Sequence, residues 1–137
     1  MKMLDFTLSL NPIKEAKIAL SIKNNSEKDC FISKDAIMLD GFKNDKFHIF
    51  DQEGQKIPYI GRYVKYYPEF VLIKAHSSLD NELSLHNAYQ FSKVGSYSAS
   101  YITQIKCCSS EEAIDCSPLE SIQAETSIEI SNLNFLE

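Results

Sequence analysis

The sequence predicts an all-β domain, a sandwich of antiparallel strands joined by hairpins. Four glycines, the only ones in 137 residues, punctuate short apolar segments between residues 41 and 101. Several of these segments alternate apolar and polar residues, which is the period of a half-buried strand. The glycines also lie too far apart to form a phosphate-binding loop, a nucleophile elbow or a dinucleotide fingerprint.

The first two strands are predicted from alternation near the N-terminus. Every second residue from 4 to 10 is apolar, and Asn11-Pro12 is expected to end this strand. A second alternating run covers residues 16–23 and ends at the turn-forming residues Asn24-Asn25-Ser26. Its inward-facing residues are expected to be Ile18, Leu20 and Ile22. We expect the two strands to pair or to lie in facing sheets.

The middle of the chain predicts shorter elements. Residues 30–33 read as a third strand, whereas residues 34–41 fit either a strand or a helical turn and are expected to be irregular. Residues 47–50 and 56–60 are predicted as strands on either side of a turn. Residues 70–75 form a run rich in β-branched and aromatic side chains, which is typical of a central strand covered on both faces or of one partly covered by a loop, and they are expected in the core.

The C-terminal third predicts the longest strands. Residues 81–85 alternate weakly, residues 97–105 form the longest regular candidate, and residues 121–130 give a last amphipathic strand. Between the last two lies a polar stretch, about residues 107–120, that is longer than a hairpin needs and is therefore functional or mobile. The elements together predict one domain, residues 1–137, with an immunoglobulin-like antiparallel β-sandwich of about seven to nine strands.

Composition and charge limit the class of partner. At 137 residues the chain can bury roughly two-thirds of its unfolded surface, so neither metal nor disulfide is needed for folding. Fourteen basic residues are interspersed with nineteen acidic ones, for a net charge of -5, which argues against a nucleic-acid partner. No apolar run is long enough for a membrane span, and Asp5 interrupts the apolar run that a secretory signal needs, so a cytoplasmic location is expected.

The cysteines are expected to be free thiols. Adjacent Cys107 and Cys108 are poorly placed to bridge each other, and the spacing to Cys116 and Cys30 lacks the paired knuckles of a structural zinc site. The alternative is a disulfide that involves Cys116, and this would argue against the cytoplasm.

The sequence predicts no enzyme and no cofactor. The three histidines, His48, His76 and His86, do not have the spacing of a zinc-binding helix, and His48 is expected to be the outward residue of a strand. A cysteine nucleophile next to Lys106 would lack a base and an oxyanion hole.

A dense aromatic cluster between residues 59 and 70 is the candidate binding site. One interpretation is structural, with Tyr59, Val64 and Tyr66 filling the sandwich. The other is a contact surface, because Tyr and Arg are enriched at binding hot spots and the flanking prolines stiffen the segment. The predicted binding residues are Arg62, Tyr63, Lys65, Tyr67 and Glu69, and the loop from Cys107 to Pro118 is predicted as a second contact element.

Two patterns in this region resemble a known family. Residues 54–65 read G-x-x-I-P-Y-I-G-x-x-V-K, and residues 89–97 read Y-x-F-S-x-x-G-x-Y. Over roughly residues 15–101 the chain resembles the immunoglobulin-like domain that precedes the catalytic domain in deuterolysin-type and peptidyl-Lys metalloendopeptidases. It departs from that family at Tyr66 and in the cysteine-bearing loop.

The resemblance implies a non-catalytic role, because in that family the segment is a pro-region or accessory domain. Without an attached peptidase, it implies an intracellular inhibitor or immunity-type protein that occludes a metallopeptidase or a related toxin. The alternative is a structural or assembly module, such as a homodimer, that associates through an exposed sheet edge.

Overall fold

Eight antiparallel strands form the domain in the computed structural model, which describes residues 6–64 and 69–133. In chain order they are β1 (Phe6–Lys14), β2 (Lys17–Asn24), β3 (Cys30–Ser33), β4 (Phe47–Phe50), β5 (Phe70–Ile73), β6 (Ser78–Ser84), β7 (Gly95–Ile105) and β8 (Glu120–Ile130). Two short 3-10 helices, Lys34–Ile37 and Leu85–Asn87, follow β3 and β6. The predictions for Leu4, Lys65, Tyr66, Tyr67 and Pro68 lie outside the described residues.

Two three-stranded sheets and one two-stranded sheet make up the sandwich, and the predicted all-β class is confirmed. Their strand orders are β1-β2-β6, β4-β7-β8 and β3-β5. The larger sheets contribute alternate residues to one buried cluster, as expected for facing layers. The inward residues predicted in β2, Ile18, Leu20 and Ile22, are completely buried, and β2 pairs with β1.

The strand β1 is longer than its sequence predicts. Alternation correctly places Phe6, Leu8 and Leu10 in the core, but the strand continues past Pro12 to Lys14. Within the described residues β1 pairs with β2 alone, so the missing N–H of Pro12 can lie on the open side of the strand. The register shifts between Pro12 and Lys14, where the strand ends.

A tyrosine near the start of β7 fixes the corner between β6 and β7. The Tyr97 hydroxyl donates to the Lys93 carbonyl oxygen at 2.6 Å, four residues upstream. This bond is typical of the tyrosine corner in immunoglobulin-like sandwiches. Burial raises the pKa of Tyr97, in keeping with a hydroxyl that serves as a structural donor.

The prediction of a central strand at residues 70–75 is wrong. The strand found there, β5, belongs to the two-stranded sheet and pairs with β3. Only Ile73 is fully buried, and Leu72 keeps 37% of its surface exposed. Apolar composition predicts a strand, but its position in a sheet depends on which partners the rest of the chain supplies.

Residues 56–60 do not form the predicted strand. Single bridges join Lys56 to Phe50 and Tyr59 to Tyr89, without a continuous ladder. Pro58 has no N–H to donate, although its carbonyl accepts from Gln90 N at 3.0 Å. The segment therefore crosses from β4 towards the loop before β7 as extended but irregular chain.

Residues 34–41, for which irregular structure is predicted, begin with the first 3-10 helix. The Ser33 hydroxyl caps it by accepting from Asp35 N at 3.3 Å. Beyond β7, residues 106–119 form the loop that leads to β8. Within the described ranges the structure contains no helix long and apolar enough to cross a membrane.

Candidate functional site

The described part of the aromatic cluster forms a surface loop, residues 59–64, which we name the Tyr63 loop. Backbone hydrogen bonds hold it near both ends: Ile60 N donates to Ala88 O at 2.7 Å, and Val64 N donates to Lys43 O at 2.9 Å. The loop is thus tied to two separate parts of the chain. This fixes its path over the surface.

Tyr63 is the most exposed aromatic side chain described, with 71% of its surface accessible. Its ring contacts the Tyr59 ring, with the centroids 5.0 Å apart and the planes at 69°. The Tyr59 hydroxyl donates to the Arg62 carbonyl oxygen at 2.5 Å, which fastens the ring to the loop's own backbone. Tyr63 therefore stands in solvent while one edge of its ring is supported.

Gly61 lets the Tyr59 ring lie against the loop. A Cβ at this position would come within 2.6 Å of the Tyr59 hydroxyl oxygen, closer than real Cβ atoms approach other atoms. Burial raises the pKa of the Tyr59 hydroxyl, which therefore remains a donor at neutral pH. Close packing of the Tyr59 ring thus explains the glycine at position 61.

The buried foundation of the loop is Tyr89. Its ring centroid lies 5.3 Å from that of Tyr59 and 6.2 Å from that of Phe47. The Tyr89 hydroxyl accepts from Phe47 N and donates to Asp45 Oδ1, both at 2.9 Å. Burial raises the pKa of Tyr89 far above its ordinary value. A line of packed rings thus runs from the core to Tyr63.

The predicted binding residues are only partly brought together. Arg62 and Tyr63 are exposed neighbours on one loop. Glu69, which follows residues 65–68 in the sequence, is exposed, and its carboxylate pairs with the Lys34 ammonium at 2.9 Å. Hydrogen bonding to Glu69 raises the pKa of Lys34. The predictions for Lys65 and Tyr67 fall outside the described residues.

Two residues of the loop differ from their sequence interpretation. Val64, a core residue in the structural interpretation, is exposed, and Tyr59 is only half-buried. Ile60 is also exposed and was missed as a surface residue, because an aliphatic side chain in an apparent strand predicts burial. The loop thus presents an apolar surface with Arg62 beside it.

The prediction of free thiols is wrong, because the cysteines form two disulfides, Cys30–Cys107 and Cys108–Cys116. Phe31 and Cys108 exchange backbone hydrogen bonds of 2.9 and 3.0 Å, which places Cys107 beside Cys30 at the start of β3. The adjacent residues Cys107 and Cys108 therefore form disulfides with different partners. Spacing along the chain cannot show this pairing, because the sheet register creates it.

The polar side chains that the structure describes outside the Tyr63 loop include the three histidines. His48 is exposed on β4 as predicted, and His76 lies 3.1 Å from a Glu27 carboxylate oxygen. Among the described residues, no three or more His, Cys, Asp and Glu side chains are grouped to hold a metal ion. A groove of about 510 Å³ between β1 and β8 is lined by aliphatic, aromatic, hydroxyl and amide side chains.

Comparison with known proteins adds no family assignment: no protein-family model matches the chain, and no curated protein matches it in sequence. The resemblance to accessory domains of metalloendopeptidases therefore stays a hypothesis that depends on sequence patterns alone.

Proposed function

We propose that this protein is a non-catalytic binding protein and that the Tyr63 loop is its main protein-contact surface. The observation that carries the proposal is the exposed Tyr63 ring, which is held in place by Tyr59 and, beneath it, by Tyr89. A supported aromatic side chain loses little conformational freedom on binding. Arg62 beside it adds the second side chain type that dominates binding hot spots.

The form of this function that we favour is an inhibitor or immunity-type protein directed at a metallopeptidase or a related toxin. Its support is the sequence resemblance together with an available strand edge. Within the described chain β5 pairs with β3 only, and β5 begins just after the predicted binding residue Glu69. An edge strand can pair with the substrate-binding edge of a peptidase while the Tyr63 loop anchors the complex.

The two disulfides change the expected location. Structural disulfides form and persist in oxidising compartments and are rare in the cytosol of mesophiles. The cytoplasmic interpretation depended on the lack of a signal-like or membrane-spanning apolar run, and a bridged Cys116, as found here, is the observation that argues against it. We therefore place the inhibitor's action in an oxidising compartment, where secreted peptidases and toxins also act.

Titration of a purified deuterolysin-type zinc endopeptidase, assayed with a quenched peptide substrate, tests this function. We expect the wild-type protein to inhibit with a defined stoichiometry, and Tyr63→Ala to weaken inhibition by about tenfold or more. Val94→Ala is the matched control, because Val94 is exposed. It follows Lys93, which pairs with Glu53 after the C-terminal end of β4, whereas the Tyr63 loop is tied to Lys43, which precedes β4. Undiminished peptidase activity at micromolar wild-type protein would refute the inhibitor role.

An assembly module is the second candidate, favoured by the exposed Leu72 on the β5 edge. Open strand edges pair readily with copies of themselves. Sedimentation equilibrium separates the two functions. A homodimer that dissociates in Leu72→Lys but persists in Tyr63→Ala would support the assembly function. A wild-type protein that is monomeric at all concentrations would exclude it.

A further inference from the structure

We propose that residues 108–116, closed by the Cys108–Cys116 disulfide and named here the 108–116 ring, are a second contact surface for the partner. The surface fits an apolar pocket with a basic rim. This inference rests on the proposed function, because it assigns a further part of the same inhibitor to the same peptidase.

The ring is built to hold one conformation. Inside it, Ser109 N and Ser109 Oγ both donate to Ile114 O, at 3.0 and 2.9 Å, and Ala113 N donates to Ser110 O at 3.1 Å. At its base, Ser117 N donates to Cys107 O at 2.8 Å. Covalent closure and these bonds remove the conformational freedom that a binding loop would otherwise lose on association.

Ile114 is the apolar centre of this surface. It keeps 53% of its surface exposed, although isoleucine is one of the residue types most often buried. Its neighbours Ala113 and Asp115 have φ values of 59° and 52°, the left-handed region that residues other than glycine rarely adopt. Such local strain persists only where the surroundings impose it, and it is concentrated at functional sites. The ring imposes it here and keeps Ile114 in solvent.

The charges around Ile114 define the partner's rim. Glu111, Glu112 and Asp115 are exposed in the ring, and the sequence from 107 to 120 contains no Lys or Arg. An apolar centre with a charged border matches the anatomy of protein interfaces, in which the rim charges steer association. A complementary partner would place Lys or Arg side chains around an apolar pocket.

The ring is also placed where one partner can reach both the ring and the β5 edge. Cys108 pairs with Phe31 on one side of β3, and β5 pairs with β3 on the other side. Two inter-strand spacings separate Cys108 from β5, which amounts to about 10 Å. A partner of ordinary interface size can therefore cover the ring and the β5 edge together.

The same inhibition assay tests the inference, with Ile114→Ala as the main variant. We expect the inhibition constant to rise about tenfold, as for a residue that fills a pocket. Leu119→Ala is the matched control, because Leu119 has 59% of its surface exposed but lies outside the ring; its inhibition constant should stay within about twofold. The Cys108→Ser/Cys116→Ser double variant should also inhibit more weakly, because the opened ring must be ordered on binding.

Each outcome separates the ring from the rest of the proposal. Full inhibition by Ile114→Ala, with inhibition lost in Tyr63→Ala, overturns the ring's role and leaves the proposed function standing. Equal weakening in Ile114→Ala and Leu119→Ala also overturns it, because the ring would then contribute nothing specific. Absence of inhibition by the wild-type protein overturns both. Thermal unfolding of each variant tests whether it is folded. If the double cysteine variant is unfolded, the inhibition constant of Ile114→Ala alone decides whether the ring contacts the partner.

Discussion

At the scale of single residues, the Tyr89 hydroxyl contributes clearly to stability, because it serves the buried Phe47 N and the partly buried Asp45 carboxylate at once. Tyr89→Phe would leave Phe47 N without its acceptor and would remove one donor from Asp45, which keeps Lys56 Nζ at 3.8 Å. We expect the free energy of unfolding to fall by about 1–3 kcal/mol, the cost of unsatisfied buried polar groups. Urea denaturation followed by circular dichroism measures this change.

Tyr63→Phe is the matched control for that experiment, since it removes a hydroxyl from an exposed tyrosine. Its effect should stay within about 0.5 kcal/mol, as for most surface substitutions. Equal effects in the two variants would show that the Tyr89 hydrogen bonds add nothing beyond the packing of its ring.

Residue positions were predictable from sequence where periodicity decides them. Alternation identified Ile18, Leu20 and Ile22 as core residues. It could not identify Asn24, predicted as a turn residue, as a completely buried polar group. The Asn24 side-chain amide donates to Lys28 O at 2.9 Å and to Ile73 O at 3.1 Å. The second of these contacts lies 49 residues away, so only the fold reveals it.

At the scale of elements, local pattern predicts the existence of a strand better than its place in a sheet. The strands β7 and β8 were found near their predicted bounds, because both alternate regularly over many residues. The run that forms β5 was predicted as a central strand and is an edge strand. At the candidate site, Arg62 and Tyr63 are exposed, as the contact-surface interpretation predicts. The 108–116 ring could not be predicted, because it is closed by a cysteine pairing that the sequence left open.

The two disulfides should differ in their contribution to stability, because they close loops of very different length. Cys30–Cys107 joins residues 77 apart and Cys108–Cys116 residues 8 apart. In the chain-entropy account, removing the first should cost about 4.5 kcal/mol and removing the second about 2.5 kcal/mol. Paired Cys→Ser variants, compared by denaturant unfolding, measure both. A larger loss from the 108–116 ring would show that native contacts, rather than the unfolded chain, determine the stabilisation.

At the scale of the whole molecule, the sandwich is closed by a contact between distant parts of the chain. Glu15, in the turn after β1, accepts hydrogen bonds from Ser131 N at 2.9 Å and from the Ser131 hydroxyl at 2.6 Å. Ser131 directly follows β8, so the pair fastens the edges of the two larger sheets. The residues are 116 positions apart, and neither has a sequence pattern that predicts the contact.

This closure predicts a dependence of stability on pH. The Ser131 hydroxyl and N–H hold the pKa of Glu15 below its ordinary value of 4.5. In the unfolded chain Glu15 takes up a proton at higher pH than in the folded protein. The contribution of ionised Glu15 to stability is therefore complete well above pH 4.5, and it is lost as the pH falls through the pKa of the folded protein. The protein should therefore become less stable between about pH 6 and about pH 3.

Glu15→Gln isolates the part of this dependence that arises at the closure. The amide does not titrate in this range, so the variant should lose less stability than the wild type on acidification. A remainder is expected from Asp51, whose pKa is lowered by hydrogen bonds from Gln55 N and Glu53 N. Ser131→Ala should reduce the slope as well, and combining it with Glu15→Gln should add little, because both remove one interaction. If acidification lowers the free energy of unfolding equally in the wild type and in Glu15→Gln, the Glu15–Ser131 contact does not form in solution.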